Sequence, residues 1–448
     1  MGTYEKSANR SHVDDVATGT IIADVSTPLT SGQTRAIFAA AAGTIVEYTD
    51  WLIYASFAPV IAANFFSAGS QAASLLAAFA VFAVGFVMRP IGGAFLGIYA
   101  DRYGRRKALT LSISLMAGSS AIIGLCPAYD SIGIAATIVL VIARLTQGFS
   151  AGGEYGSATA FMIESSPDDR RGFAGSWQWW AINAGILLSS LIAIATLSIG
   201  SSLGLASSGW RLAFIFAGVL GLIGLWIRLS VDETVIFSRH RKDAEQRRPI
   251  YEVIFKYPVA SLRVIGLAMV GNVTGYIWII LYPSYISTTT GMPLRDALTA
   301  QSIAVALSLI LIPFLGALSD RIGRRPILIA FAFATALYAW PSLELPHQGS
   351  TFWEVLALEC IALIIFSGYC STVASTMAEQ FPTEIRATGI SLPYAIAVTV
   401  FGGASPWLVT VLKNAGYGHL VWIYVAVVAV IGGILYIRMP ETKGKPIQ

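Results

Sequence analysis

Charge is the scarcest commodity in this chain. Asp, Glu, Lys and Arg supply 12% of its 448 residues, against about 25% in an average soluble domain. With 55% hydrophobic residues, a water-soluble fold is excluded and a lipid environment is implied. Cysteine is almost as rare: Cys126, Cys360 and Cys370 stand alone in apolar runs. They form neither a disulfide framework nor a metal-ligand spacing and are expected to be packing residues. With four histidines and no Cys/His cluster, no metal is expected. The formal charge is only +4, without a basic block, so nucleic acid is not an expected partner. No nucleotide-binding loop or nucleophile elbow occurs, and Gly152-Gly153 lies inside an apolar run rather than after a strand. Neither enzyme chemistry nor a cofactor is expected. The first 35 residues are polar and lack the apolar core of a signal peptide.

What the chain does have, it has twice. Residues 97–107 read GIYADRYGRRK and residues 316–326 read GALSDRIGRRP. Glu164-Ser-Ser-Pro-Asp-Asp-Arg-Arg171 is echoed by Glu379-Gln-Phe-Pro-Thr-Glu-Ile-Arg386, and more weakly Val231-Asp-Glu-Thr234 by Met439-Pro-Glu-Thr442. Punctuation repeated at half-length predicts two homologous halves, which in membrane proteins usually enclose a substrate site.

Apolar runs long enough to cross roughly 30 Å of hydrocarbon fall near residues 36–66, 72–99, 108–128, 131–163, 172–199 and 210–230, then near 259–288, 296–318, 326–343, 352–379, 387–413 and 418–438. The predicted fold is therefore an all-α integral membrane protein, with twelve transmembrane helices in two pseudo-symmetric six-helix bundles. Every second connector is basic: Arg102–Lys107, Arg170-Arg171, Arg228–Lys256, Arg321–Arg325, Arg386, and the tail with Arg438, Lys443 and Lys445. The positive-inside rule then places both termini in the cytoplasm. The expected organisation is a disordered cytoplasmic tail (1–35), a first bundle (36–230), a cytoplasmic linker (231–258), and a second bundle with a short tail (259–448). The linker is either a surface-lying helix against an anionic leaflet or a solvated tether.

Ionisable groups inside a bilayer are costly and are functional candidates by default. The first half holds five: Glu47 and Asp50 in span 1, Arg89 in span 2, and Arg144 and Glu154 in span 4. At about 1.5 Å per residue, Glu47, Arg89 and Glu154 should lie roughly 15 Å deep, near the midplane. Gly43, Glu47, Asp50 and Tyr54 follow helical spacing and share a face that should point inward. Pro90 and Gly92-Gly93 predict a bent, tightly packed helix around Arg89. Three carboxylates against two guanidiniums would repel an organic anion until one carboxylate takes a proton. A carboxylate whose arginine is claimed by the substrate gains proton affinity, which couples the two by linkage. Glu47 or Asp50 is the expected proton carrier, with Arg89 its switchable counter-ion. Structural readings stand beside this one: a register-fixing pair for Glu47 and Asp50 with Arg89, a helix partner for Glu154. Glu359 in span 10 reads as a group of the outer third reaching water.

Among uncharged groups, Gln178, Asn183, Tyr276 and Tyr282 are candidate substrate contacts with Tyr54 and Arg89, because amides and phenols can donate to a carboxylate without the cost of a buried charge. Arg211 could draw anions into an outer vestibule or be an ordinary loop charge.

The paired D-R-x-G-R-R loops, Arg144-Leu-Thr-Gln147-Gly148 and the inter-half linker resemble the major facilitator superfamily. Val46-Glu-Tyr-Thr-Asp50, Met88-Arg-Pro-Ile-Gly-Gly93, Gln147-Gly-Phe-Ser-Ala-Gly-Gly-Glu154-Tyr155-Gly156 and Phe381-Pro-Thr-Glu-Ile-Arg386 are similar to its metabolite:proton symporters, which carry α-ketoglutarate, citrate, shikimate, and proline or betaine. The likeness departs at Tyr48-Thr49 and at Gly275-Tyr276-Ile-Trp278. It implies that Arg144 participates in proton coupling with Glu47, Asp50 and Glu154, although Arg144 also reads as a backbone donor. It further implies that Asp101, Arg102, Arg105, Glu164, Asp320, Arg321, Arg324 and Glu379 latch the outward-facing state, although the same residues also read as topology signals that help insertion. The expected activity is proton-coupled import of a small organic anion, such as a dicarboxylate or keto-acid, by a monomer in the inner membrane. A zwitterionic osmolyte caged by Trp and Tyr is the alternative, weakened by the lack of a heptad segment after Arg438. A sensor or channel would need a signalling domain or filter loop, and neither is evident.

Overall fold

The computed structural model describes residues 29–66, 71–202, 209–229, 249–403 and, apart from part of 404–414, 415–444. The linker up to residue 248, the first 28 residues and the Val231–Thr234 echo lie outside the described residues. Among the described residues, twelve long helices follow one another. The first half contains α1 (Ser31–Ser56), α2 (Gln71–Tyr103), α3 (Arg105–Leu125), α4 (Ile134–Glu164), α5 (Arg171–Ser202) and α6 (Gly209–Leu229). The second contains α7 (Pro258–Thr290), α8 (Leu294–Ile322), α9 (Arg324–Glu344), α10 (Phe352–Ala378), α11 (Arg386–Ala397, continuing through the turn Val398–Gly402) and α12 (Val421–Arg438). Ten of the helices are long and apolar enough to cross a membrane. The other two, α2 and α5, have 33 and 32 residues, enough at about 1.5 Å each to span the hydrocarbon. No strand occurs among the described residues.

α1 starts five residues before the apolar run predicts. Thr30 and Gln33 exchange a capping box: the Gln33 N–H donates to Thr30 Oγ1 at 3.3 Å, and the Thr30 N–H donates to Gln33 Oε1 at 2.9 Å. A hydropathy count misses this polar first turn.

Each half packs on itself, with α2 against α4, α1 against α5, α3 against α6, α8 against α10 and α9 against α12. The halves meet where α2 and α4 touch α11, and where α5 touches α8 and α10. Two glycine features set this geometry. Gly104 (φ +106°) and Gly323 (φ +99°) occupy the left-handed region at the α2–α3 and α8–α9 turns, which explains the glycine in each D-R-x-G-R-R loop. In the α2–α4 seam, a Cβ on Gly148 would lie 2.1 Å from the Gly85 carbonyl oxygen, and one on Gly152 would lie 2.0 Å from that of Arg89. Only glycine permits such backbone contact.

α7 and α11 are not uniform α-helices. Residues Tyr276–Leu281 and Val398–Gly402 form π-helical turns, a distortion frequent at functional sites.

Candidate functional site

A cavity of about 60 Å³ lies between the halves, lined by Tyr48, Trp51 and Leu52 of α1, Arg89 of α2, Trp179, Ile182 and Ile186 of α5, Asn272, Tyr276, Ile279 and Ile280 of α7, and Tyr394 and Val398 of α11. The α7 and α11 contributions come from their π-helical turns or the residues just before them. Arg89 is 5% exposed. Its guanidinium lies 4.5 Å from the Trp51 ring centroid and 4.9 Å from that of Phe86. Tyr48, Tyr276, Tyr394 and Glu47 surround it closely enough to interact electrostatically.

The five charges of the first half are all buried, but they sort into three groups. Asp50 accepts from Ser120 Oγ of α3 and, at 2.6 Å, from Gln147 Nε2. Gln147 Oε1 in turn accepts from Arg144 Nη1 at 2.9 Å. The amide thus relays between the carboxylate and the guanidinium. Arg144 also stacks on Trp51 and Tyr54, at 4.3 Å and 4.2 Å from their centroids. Glu47 forms the second group with Arg89. Glu154 forms the third, accepting from Ser112 Oγ at 2.7 Å, while Ser112 also meets Ser150 at 2.8 Å.

Of the candidate substrate contacts, Arg89 and Tyr276 line the cavity and the other four do not. Tyr54 lies on Arg144. Gln178 is fully buried, and neither end of its amide has a hydrogen-bond partner. Asn183 donates back to the Trp179 carbonyl at 2.8 Å, one turn earlier. Tyr282 lies six residues beyond Tyr276, past the π-helical turn, and donates to the Ser342 carbonyl of α9 at 2.9 Å. Trp51 and Asn272 are lining residues that sequence reasoning missed. Trp51 carried a signal, lying one turn from Glu47 and next to Asp50; Ser120 carried none. Glu359 is 1% exposed with neither carboxylate oxygen partnered, which contradicts the expected access to water. Arg211 is a clamp rather than a vestibule charge: it donates to the Gly124 carbonyl at 3.1 Å and to that of Cys126, closing the end of α3.

An aromatic floor separates the cavity from the end carrying the basic loops. Tyr155 and Tyr394 stack across the halves at 3.7 Å, 8° from parallel. Trp179 donates to Tyr155 Oη at 3.3 Å and meets Phe366 and Tyr369 edge-on.

Beyond that floor, each D-R-x-G-R-R aspartate caps a helix of the opposite half. Asp101 accepts from the Ala387 and Thr388 N–H groups at 3.1 and 2.9 Å, and from Thr388 Oγ1 at 2.6 Å, at the start of α11. Asp320 accepts from the Gly172 and Phe173 N–H groups at 2.7 and 2.8 Å, at the start of α5. A carboxylate at a helix N-terminus satisfies orphan donors and the helix dipole together. Arg105 bridges Asp101 (3.2 Å) and Glu164 (3.1 Å), and Glu164 also pairs with Arg386 of the other half at 2.9 Å. Arg324 bridges Asp320 (2.9 Å) and Glu379 (3.1 Å). The exposed Arg102 and Arg321 lie outside these networks. The tail joins the second network, since Thr442 donates to Glu379, and Glu441 accepts from the first two N–H groups of α9 at 3.0 Å. Burial pushes the Glu441 carboxyl up, but the N–H groups of Arg324, Arg325, Lys443 and Thr442 outweigh it and hold it below the usual carboxylate range.

Two six-helix halves around a central cavity, joined by reciprocal helix caps at one end, define a membrane transporter, not an enzyme. Residues 40–406 match the Major Facilitator Superfamily, and the chain belongs to that family. It is similar to the alpha-ketoglutarate permease of Escherichia coli K12, at 34% identity over 96% of this chain and 99% of the relative. The proline/betaine transporter of the same organism is 35% identical over 92% of this chain and 85% of its own length. The citrate-proton symporter of Klebsiella pneumoniae is 32% identical over 86% of each. Among solved structures, the proton:xylose symporter XylE bound to 6-bromo-6-deoxy-D-glucose shares the fold, with a TM-score of 0.78 at 18% identity over 93% of this chain and 98% of that one.

Proposed function

We propose that the protein imports a small organic anion together with protons across the inner membrane, with the basic loops and both termini in the cytoplasm. The observation that carries this reading is Arg89, a guanidinium buried in the wall of the inter-bundle cavity with Glu47 beside it. A substrate carboxylate that claims Arg89 removes Glu47's counter-charge, and Glu47 then takes up a proton. Asp50, tied through Gln147 to Arg144, is the second titrating group. With the reciprocal caps intact, the cytoplasmic ends are shut; breaking them opens the cavity inward. Relatives named for alpha-ketoglutarate and citrate support an organic acid.

The test is uptake into proteoliposomes driven by an inward proton gradient. Arg89→Gln is expected to abolish accumulation. Glu47→Gln and Asp50→Asn are expected to uncouple it from the gradient; full gradient-driven accumulation in both would refute the coupling scheme. A second reading, import of a zwitterion such as proline or betaine, is favoured by the wall of Trp51, Trp179, Tyr276 and Tyr394, which could hold a quaternary nitrogen. It predicts competition by betaine in the same assay.

A further inference from the structure

Counting the charges that face the cavity narrows the substrate, given the organic-anion reading above. Among the described residues lining it, Arg89 is the single cation. The next guanidinium, that of Arg144, lies against Trp51 and Tyr54 and donates to Gln147, the residue that also holds Asp50. Arg144 belongs to the carboxylate already in the protein and does not line the cavity. Arg89, by contrast, lines the cavity.

The remaining wall could not neutralise a second anionic group. Ile182, Ile186, Ile279, Ile280 and Val398 are aliphatic. Asn272, the lining amide, donates to the Ala268 carbonyl at 2.7 Å. A second carboxylate would therefore leave water without a second lining cation to pair with, only the phenols of Tyr48, Tyr276 and Tyr394 among the polar lining groups, a cost that burial makes large.

We infer that the transported species carries one carboxylate and no second anionic group, on a small body with an apolar flank. Arg89 receives the carboxylate, and the aromatic and aliphatic wall receives the body.

The experiment compares acids of one skeleton that differ only in a terminal carboxyl. Calorimetric binding to the full-length protein in lipid nanodiscs is measured for 2-oxovalerate against 2-oxoglutarate, and for butyrate against succinate, with proline and glycine betaine as zwitterionic probes. The expected result is that the monocarboxylate of at least one pair binds about tenfold or more tightly than its dicarboxylate partner, a difference of about 1.4 kcal/mol, and that Arg89→Gln abolishes this binding. Binding of a zwitterion alone, lost in Arg89→Gln, also supports one carboxylate and assigns a compensating positive group to the body. Equal or tighter binding of the dicarboxylates overturns the inference and leaves the organic-anion reading standing. Binding by no acid and no zwitterion overturns both.

Discussion

Trp51 shows how much a single side chain arranges here: Arg89 and Arg144 both lie against its ring, within 4.5 Å of its centroid. Desolvated cation–π contacts are worth about 2 kcal/mol each. Trp51→Leu is therefore expected to loosen both guanidiniums, raising the apparent Kd for substrate and shifting the pH dependence of uptake. A rise in Kd with an unchanged pH profile would show that the ring serves only the cavity. Glu359 is the opposite case, a buried carboxyl without a hydrogen bond. Because an unsatisfied buried polar group costs about 1–3 kcal/mol, Glu359→Leu is expected to raise the Tm of the purified protein. Much of the residue scale was legible in advance. The rarity of charge drew attention to Glu47, Asp50, Arg89, Arg144 and Glu154, and all five are buried. Their partners were not legible. Ser120, Ser112 and Gln147 are polar residues of ordinary composition, and only the packing of α3 and α4 against each other and against α1 decides which carboxylate each one meets.

At the scale of elements, the α2–α4 seam depends on missing side chains. Gly152→Ala would put a methyl group 2.0 Å from the Arg89 carbonyl oxygen, and rigid backbone must then move. Loss of about 3 kcal/mol or more is expected by analogy with overpacked cores, read as a lowered Tm or lost monodisperse protein. The tail's grip on α9 gives a pH prediction. Glu441 is held below its ordinary value in the folded state, so its contribution is complete above the unfolded value of about 4.3 and is lost as pH falls through the lower folded value. Tm should fall more steeply below about pH 4 in the parent than in Glu441→Gln, by about 1 kcal/mol in stability. Parallel curves would refute the clamp. Hydropathy located the helices because a bilayer demands long apolar runs. It missed the first turn of α1, where capping rather than apolarity sets the boundary, and it could not foresee the π-helical turns of α7 and α11.

At the scale of the whole molecule, the repeated loops are more than an echo, because each aspartate binds the other half's helix. Asp101→Asn and Asp320→Asn should each weaken a charge-assisted cap by about 1–2 kcal/mol, shifting the balance between closed and open forms of this end by about five- to thirtyfold. Spin labels at the exposed positions 102 and 321, in a protein lacking Cys126, Cys360 and Cys370, would report this as a longer or broader distance distribution. An unchanged distribution would show that the caps do not hold the halves together. Sequence repetition disclosed that two halves exist, but not that the caps cross between them, since the aspartates and the Glu164 and Glu379 loops could equally have been satisfied within one half. The α2–α4 seam carries one last consequence. Helices that already touch backbone to backbone cannot slide past each other without collision, so Arg89, Arg144 and Glu154 ride on a single stator. Widening of the passage is then expected from the opposite wall, where α7 and α11 depart from the regular α-helix at their π-helical turns.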